Sequence, residues 1–447
     1  MPVRLVDSLA TTDEMAELFS DQQVLQNMLD FEAALARAEA RVGLIPKEAA
    51  RAIGESAAAA NFDTATLSHQ AFRAGTLAIP IVKALTEQVR SVDPTAARFV
   101  HWGATSQDVT DTALVLLLKR AQPILAADHA RLIDALQNLA QQHASAVMLG
   151  RTLLQPAPPV TFGLKAAAWL AAIRRGWTRI DTRFEEAVVL QFGGASGTLA
   201  SLGAQGDPVG RALAEALGLK YPDAPWHTHR DCLAALLAAC AVQCGSLGKM
   251  ARDIVLLMQA EVAEASEPGG DGRGGSSTMP HKQNPIACSL ALASAHRVPG
   301  LLASFLSAMV QEHERGAGGW QAEWPIVTSI VQALAVSVAS MAEAAQALFV
   351  NAHRMRANID ATRGTIFAER AMTLLGSALG RDVAHKLLEE AARRSTAEGR
   401  RFVDVLAEMP EVTRVIPVAA LATLDTPEDY LGLAALFQKR LVHPADY

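Results

Sequence analysis

The sequence predicts an all-α protein built around long helices. Half of the 447 residues are hydrophobic, aromatic residues make up only 5%, and the polar–apolar alternation typical of strands is scarce. Apolar residues recur at steps of three and four from Leu233 to Met258 and again from Val327 to Leu348. This spacing predicts long helices that lie side by side, so we expect an all-α fold with three helical regions around a central long-helix bundle.

The three regions follow from where these patterns begin and end. Residues 1–110 contain shorter helical patterns and predict an N-terminal helical domain. Residues 111–350 carry the long helices and predict the central bundle, while residues 351–447 predict a smaller C-terminal helical domain. Gly- and Pro-rich loops separate the long helices at residues 151–159, 192–208, 222–229 and 268–285.

Charge and composition exclude several classes of protein. The net charge of -6 does not resemble the basic surface of a nucleic-acid-binding protein. The N-terminus has no apolar segment of the signal-peptide kind, and we expect no apolar run that is long and charge-free enough to span a membrane. We therefore expect a cytoplasmic protein without a nucleic-acid or membrane partner. The four cysteines, without a Cys-x-x-Cys pair, are expected to be buried thiols: Cys232, Cys240, Cys244 and Cys288.

Residues 101–108, His-Trp-Gly-Ala-Thr-Ser-Gln-Asp, are the first segment that could carry chemistry. The ordinary interpretation is a helix start, with Thr105 or Ser106 as the cap and Asp108 complementing the helix dipole. The functional interpretation is a carboxylate site, because hydroxyl and free N–H groups at a helix N-terminus bind anions. The segment alone favours the helix start.

Residues 275–285, Gly-Ser-Ser-Thr-Met-Pro-His-Lys-Gln-Asn-Pro, follow a glycine-rich stretch and cannot lie inside a helix. They predict a mobile loop that ends in a fixed turn. A simple linker has no need of Ser276, Lys282 and Asn284 at fixed offsets between prolines. A phosphate-binding loop would require Gly-Lys-Ser/Thr, which is absent here.

Two further segments are unremarkable when taken alone. Residues 150–156 predict an ordinary loop, and residues 311–324 predict a helix end with solvated charges. The glycines of residues 193–197 do not form a dinucleotide-binding motif, because their spacing is wrong and no βαβ pattern surrounds them.

Together these segments resemble the fumarase/aspartase superfamily, which includes fumarase, aspartase, argininosuccinate lyase, adenylosuccinate lyase and the bacterial 3-carboxymuconate lactonising enzymes. Residues 275–285 resemble its signature, and residues 105–106 and 150–152 match its two other regions in the right order. The resemblance extends over essentially the whole chain. Residues 29–39, 225–228 and 311–315 resemble the lactonising branch most.

This resemblance implies a homotetramer with a 20-helix core and active sites shared among three subunits. It implies that Ser276 transfers a proton from a closing loop, while Lys282 and Asn284 bind a substrate carboxylate and stabilise its aci-carboxylate form. The substrate would be a small anionic tricarboxylate, and no metal or organic cofactor would be needed. The residues implied to bind the substrate are His101, Thr105, Ser106, Thr152, Gln155, His229, Ser277, Met279 and Arg315.

Leu153 departs from the lyases of the superfamily, which usually carry at this position a histidine that assists the leaving group. A lactonising enzyme can do without this histidine, because its nucleophile is the substrate's own carboxylate, ionised at neutral pH with a pKa of roughly 4. The expected reaction is the cyclisation of 3-carboxymuconate to its lactone. His229 and Gln283 also depart from the family pattern. The sequence therefore does not determine which group the substrate carries at its 3-position.

Two alternatives remain at this point. One is an adenylosuccinate- or argininosuccinate-type lyase, which Leu153 disfavours. The other is a catalytically silent structural homologue, which the intact Ser276, Lys282 and Asn284 disfavour.

Overall fold

The structure is a computed structural model that describes residues 5–269, 274–275, 279 and 282–444. Within these ranges the chain forms eighteen α-helices, six 3₁₀ helices and four short strands, which confirms the all-α prediction.

The α-helices are α1 (Asp13–Leu18), α2 (Asp21–Arg41), α3 (Lys47–Ser56), α4 (Thr64–Ala74), α5 (Ala78–Val92), α6 (Ser106–Gln142), α7 (Phe162–Ala187), α8 (Gly206–Leu217), α9 (Asp231–Met258), α10 (Ile286–Ala308), α11 (Gly319–Gln346), α12 (Ala352–Asp360), α13 (Ala368–Leu379), α14 (Arg381–Glu398), α15 (Phe402–Ala407), α16 (Pro410–Thr413), α17 (Val418–Leu421) and α18 (Ala434–Val442). The strands are β1 (Val147–Thr152), β2 (Gln155–Thr161), β3 (Ala265–Ser266) and β4 (Phe349–Val350). The 3₁₀ helices are Leu5–Asp7, Ala59–Asn61, Ala96–Phe99, Gly203–Gln205, Thr365–Phe367 and Pro427–Tyr430.

The predicted apolar stripes coincide with two of the long helices. Helices α9 and α11 have 28 residues each, and α6 has 37, which is a length of about 55 Å at the usual helical rise. Because the stripes repeat every three to four residues, one face of each helix is apolar along its length. The stripe residues with no exposed surface include Leu237, Cys240, Cys244, Leu247 and Ile254 of α9 and Val327, Val331, Leu334, Val338 and Met341 of α11.

The chain divides into two compact units. The first consists of Met1–Ala130, Arg175–Gly248 and Ser289–Met341. Here α2 packs against α3 and α8, and its apolar face is buried. The predicted domain boundaries near residues 110 and 350 remain a prediction.

The second unit consists of Arg131–Arg174, Lys249–Cys288 and Ala342–Tyr447. Strands β1 and β2 form an antiparallel hairpin, and β3 pairs with β4. Helix α12 packs against β1, and α13 packs against α14. The buried residues at the C-terminal end include Leu375, Leu388, Phe402 and Leu406.

Helices α9, α10 and α11 are long and apolar enough to cross a membrane, by length and composition only. This corrects the expectation that the chain holds no such run. In α9 the charged residues are Asp231 at the first position and Lys249, Arg252 and Asp253 towards the other end, so the stretch between them carries no charge. In α11, 72% of the apolar stretch is buried within this chain, whereas in α10 only 28% is buried. Helix α10 therefore leaves much apolar surface uncovered.

Candidate active site

Asp108, in the first turn of α6, forms hydrogen bonds that connect three segments of the first unit. It is fully buried, and its Oδ1 accepts hydrogen bonds from the N–H of Gly193 (2.9 Å) and from Nε2 of His227 (2.8 Å). Its Oδ2 accepts from the N–H groups of Gly194 (2.9 Å) and Thr105 (3.0 Å). A buried carboxylate needs several hydrogen-bond donors. These bonds therefore fix the start of α6 against the loop that contains Gly193 and Gly194.

Arg315, in the segment after α10, forms hydrogen bonds to a residue next to the start of α6 and to the loop after Gly194. Its Nη1 donates to Oγ1 of Thr105 (3.0 Å), and its Nη2 donates to the carbonyl of Ala195 (3.2 Å). Its Nε is buried without a hydrogen-bond partner among the described residues. Ser106, the first residue of α6, is half-buried beside Thr105. A guanidinium next to a helix N-terminus suits an anionic ligand.

His101 lies against α2. Its Nδ1 is 2.6 Å from Oε1 of Glu32, which has no exposed side-chain surface. Burial alone would lower the pKa of His101, but the charge and hydrogen bond of Glu32 and the charge of Asp108 outweigh burial and raise it. His101 therefore favours its protonated form more than an isolated histidine does.

His229 is exposed just before α9, and its N–H donates to the carbonyl of Trp226 (3.2 Å). The next residue, Arg230, is buried and bonds Asp111 (2.6 Å) and Glu323 (2.7 Å). The Arg230 guanidinium also lies 4.6 Å from the ring of Trp226. The two carboxylates outweigh the effect of burial and raise the pKa of Arg230. This network sets the position of the backbone that carries His229.

In the second unit, Thr152 and Gln155 face each other across the ends of the β1–β2 hairpin. Arg151 holds the hairpin through two hydrogen bonds to Glu264, at 2.9 and 2.7 Å, and the buried Glu264 also accepts from Nδ2 of Asn358 (2.7 Å). The connecting residues Leu153 and Leu154 both have left-handed φ angles, 51° and 65°. Their exposed fractions are 97% and 74%.

The signature segment is closed at its base by two sets of contacts. The carboxylate of Glu267 accepts from the N–H groups of Ala287 (3.0 Å) and Cys288 (2.8 Å), at the start of α10. The N–H of Asn284 donates to the carbonyl of Gly274 (2.9 Å). The two ends of the segment therefore lie side by side.

Of the signature residues, Lys282 is exposed and Asn284 is half-buried. The N–H of Lys282 donates to the carbonyl of Met279 (3.0 Å). Ser276 and Ser277, predicted for proton transfer and substrate binding, lie outside the described residues.

The structure thus gathers His101, Thr105, Ser106 and Arg315 in the first unit, and it pairs Thr152 with Gln155 in the second. Sequence reasoning missed Glu32 and His227 as polar supports of the first group. A signal for Glu32 was present, because Glu32 and Glu39 are seven residues apart on an otherwise apolar face of α2. A buried carboxylate at such a position needs a partner from another segment.

The cysteines and the possible metal ligands carry no further site in the part of the chain that the structure describes. Cys240, Cys244 and Cys288 are buried as predicted, whereas Cys232 is partly exposed. Burial raises the pKa of the Cys244 thiol to about 12. The described residues contain no group of three or more His, Cys, Asp or Glu side chains that could hold a metal ion.

Comparison with known proteins gives consistent results. Residues 8–300 match the lyase family, and residues 364–441 match the family described as adenylosuccinate lyase C-terminus. The chain is 47% identical to the 3-carboxy-cis,cis-muconate cycloisomerase of Bradyrhizobium diazoefficiens over 438 residues, or 98% of this chain and 97% of the relative.

The enzyme of the same name from Pseudomonas aeruginosa is 45% identical over 437 residues, which cover 98% of this chain and 95% of that enzyme. Among solved structures, the 3-carboxy-cis,cis-muconate lactonizing enzyme of Pseudomonas putida matches with a TM-score of 0.91 and 45% identity, covering 98% of each chain.

Proposed function

The chain belongs to the lyase family of the fumarase/aspartase superfamily, and on this premise we propose that it is a cycloisomerase that converts 3-carboxy-cis,cis-muconate to carboxymuconolactone. The observation that carries the proposal is 47% identity to a cycloisomerase of that name over nearly the full length of both chains. Such an enzyme is an intramolecular lyase of aromatic-compound catabolism, and we expect it to act in the cytoplasm.

Counted as neutral acids, the substrate and the lactone are isomers; the ionised substrate takes up one proton when its carboxylate becomes the lactone ester. One carboxylate oxygen of the substrate adds to the β-carbon of a double bond, and the electron pair of that bond moves towards the carboxylate on the α-carbon. The resulting aci-carboxylate carries extra negative charge until the α-carbon takes up a proton. We assign the proton donor to Ser276. We assign Lys282 and Asn284 to the aci-carboxylate, because a cation and an amide donor stabilise charge that develops in the transition state.

The base of the signature segment supports this assignment of Lys282 and Asn284. Asn284 is fixed by its backbone bond to Gly274, and the helix that follows is fixed by Glu267. Groups that are held before the reaction begins need no reorganisation when charge develops, which is the main source of electrostatic catalysis.

The first unit supplies a second set of groups suited to a tricarboxylate. Arg315 brings positive charge to Thr105, where α6 begins, and the raised pKa of His101 favours positive charge on that ring as well. The N-terminal end of a helix adds partial positive charge and free N–H groups. We propose that these residues, together with His229 and the hairpin residues Thr152 and Gln155, bind the carboxylates that do not react.

The absence of a catalytic histidine at Leu153 fits this reaction. The substrate carboxylate is already ionised and tethered to the carbon that it attacks, and tethering can lower a barrier by roughly 7 to 11 kcal/mol. A lyase that expels an amine or hydroxide would need a proton donor at this position. Leu153 therefore disfavours the adenylosuccinate- or argininosuccinate-type alternative.

We further propose that the enzyme is a homotetramer with a 20-helix core and active sites shared among three subunits. Two features support this assembly. The apolar surface of α10 is largely uncovered in the single chain, and the exposed Leu153 and Leu154 stand at the tip of a hairpin. Large apolar surfaces of this kind are usually covered by another protein.

A substrate panel tests the proposed function. The purified enzyme, without added metal or cofactor, is mixed in turn with 3-carboxy-cis,cis-muconate, fumarate, adenylosuccinate and argininosuccinate. We expect rapid loss of the conjugated-diene absorbance with the muconate, formation of the lactone by NMR, and negligible turnover of the other three. Efficient cleavage of either succinate, with no change in the muconate absorbance, would overturn the proposal.

A further inference from the structure

Glu32 is a carboxylate in an apolar part of the molecule. It lies on α2 between the fully buried Phe31 and a run of buried alanines, and its side chain has no exposed surface. Its Oε1 contacts Nδ1 of His101 at 2.6 Å, and its Oε2 has no hydrogen-bond partner among the described residues. Because an unpaired buried carboxylate is costly, the bond to His101 is what makes Glu32 tolerable there.

His101 is held in an unusual conformation by its surroundings. Its φ angle is 61°, in the left-handed region that residues with a β-carbon rarely adopt. Its side chain keeps 19% of its surface exposed, and Nε2 makes no hydrogen bond to the described residues. Four residues later comes Thr105, which bonds both Asp108 and Arg315. The free edge of the ring therefore belongs to the region that we assign to substrate carboxylates.

We propose that Glu32 is a positioning residue of the active site, which holds the His101 ring through Nδ1 so that Nε2–H is presented to a carboxylate of the substrate. This inference rests on the proposed function. A carboxylate can only accept a hydrogen bond, so Nδ1 of His101 carries the proton that it donates to Glu32. A second proton, on Nε2, makes the His101 ring a cation with two N–H donors. The bound carboxylate then lies on the opposite side of the ring from Glu32.

The charges around His101 agree with this arrangement. Glu32 faces it from α2 and Asp108 from α6, and both favour the protonated ring against the effect of burial. Arg315 reaches Thr105 from the segment after α10, and His227 bonds Asp108. Arg315 and a bound substrate anion have opposite effects on the His101 cation. Occupancy of the site should therefore favour protonation of His101 further.

The test compares the variants E32Q, H101Q and H101N with the wild-type enzyme. Glutamine at position 32 keeps an acceptor for Nδ1–H but removes the charge. We expect E32Q to raise KM for 3-carboxy-cis,cis-muconate roughly tenfold near pH 7.5 with a smaller change in kcat, since a hydrogen bond between charged groups is replaced by a weaker one. We also expect the alkaline fall of kcat/KM to move to lower pH, because the neutral amide no longer favours the protonated ring.

The histidine variants give an independent measurement that does not require E32Q to fold. The amide nitrogen of glutamine can occupy the place of Nε2, whereas that of asparagine can occupy only the place of Nδ1. We expect H101Q to retain a KM closer to the wild type than H101N does. Equal KM values for the two variants would contradict a donor role for Nε2.

E39Q is the matched control, because Glu39 is an equally buried glutamate on the same helix and makes no bond to His101. We expect E39Q to leave KM and the pH profile of kcat/KM unchanged. A wild-type KM and pH profile in E32Q, or the same changes in E32Q and E39Q, would overturn the inference. A wild-type enzyme without cycloisomerase activity would instead overturn the proposed function, so the two failures are distinguishable.

Discussion

Glu39 has a side chain with no exposed surface, and neither of its carboxyl oxygens has a hydrogen-bond partner among the described residues. Burial, and next the negative charge of Glu32, raise the pKa of Glu39 to about 9. The group is therefore protonated in the folded protein at neutral pH, although an exposed glutamate would be ionised. A neutral carboxyl group loses less hydration on burial than a carboxylate does.

This shift predicts how stability depends on pH. The pKa of Glu39 rises from 4.5 in the unfolded chain to about 9 in the folded one, so the folded state binds more protons between these values. The contribution of this proton to the free energy of unfolding is fully present below pH 4.5 and is lost as the pH rises to 9. E39Q cannot ionise, so from pH 5 to pH 9 it should lose less unfolding free energy than the wild type, by roughly 3 to 5 kcal/mol.

Urea unfolding at pH 5, 7 and 9 measures this difference. Asp30, exposed on the same helix, offers the control variant D30N, which should follow the wild-type curve. Parallel curves for E39Q and the wild type would show that Glu39 does not carry the predicted proton.

At the scale of residues, the sequence predicted groups whose partners are close along the chain and missed those whose partners are distant. Thr105 and Asp108 are three residues apart, so a helix start was predictable. The contact of Glu32 with His101 spans 69 positions, and that of His227 with Asp108 spans 119. No local pattern encodes such pairs, because they depend on how the helices pack.

The turn between β1 and β2 is built from unfavourable residues. A two-residue turn with positive φ at both positions favours Asn-Gly, because a β-carbon is crowded in the left-handed region. Leu153 and Leu154 occupy these positions and are also largely exposed. In the single chain, therefore, neither a favourable backbone conformation nor burial of the side chains stabilises them. Conformations of this kind persist where function requires the side chains.

The double substitution L153N/L154G separates stability from function at this turn. We expect it to stabilise the fold by roughly 1 to 2 kcal/mol, because it relieves two left-handed leucines. We expect kcat/KM to fall at least tenfold, because the apolar tip is lost from the active site that we propose. Thermal unfolding and the diene assay give the two values.

L433A is the control, since Leu433 is 57% exposed, has an ordinary φ of -93° and precedes α18, where alanine is no better a helix cap than leucine. It should change neither property. A double variant that is as active as the wild type would remove the turn from the active site.

Among elements, the long helices were predictable and the hairpin was not. The stripes of α9 and α11 extend over several turns, so their period is visible in the sequence. Strand β2 contains three prolines and alternates poorly, and the segment was therefore expected to be an ordinary loop. Its strand pairing comes from β1 and from the bond of Arg151 to Glu264.

For the whole molecule, the apolar surface of α10 predicts assembly. We expect four chains of 47.4 kDa each in solution, measured by light scattering coupled to size exclusion. Mixed tetramers of S276A and T152A should recover activity, because some sites then take Ser276 from a T152A chain and Thr152 from an S276A chain. With random mixing, up to roughly a quarter of the sites would be intact.

Each variant alone, carried through the same unfolding and refolding as the mixture, is the control and should remain nearly inactive. A fully active monomer, or no recovery in mixed tetramers of confirmed composition, would contradict shared sites.

The hydrogen bond between Asn284 and Gly274 has a consequence for how this enzyme can change. It closes a loop between residues 274 and 284, within which the structure describes residues 275, 279, 282 and 283. The entropy of closing a loop grows only with the logarithm of its length, so doubling this length would cost about 0.6 kcal/mol. Folding therefore places little restriction on the length of this loop, whereas the proposed roles of Ser276 and Lys282 restrict its sequence. We therefore expect variants with a longer loop to fold as the wild type does and to differ from it in turnover.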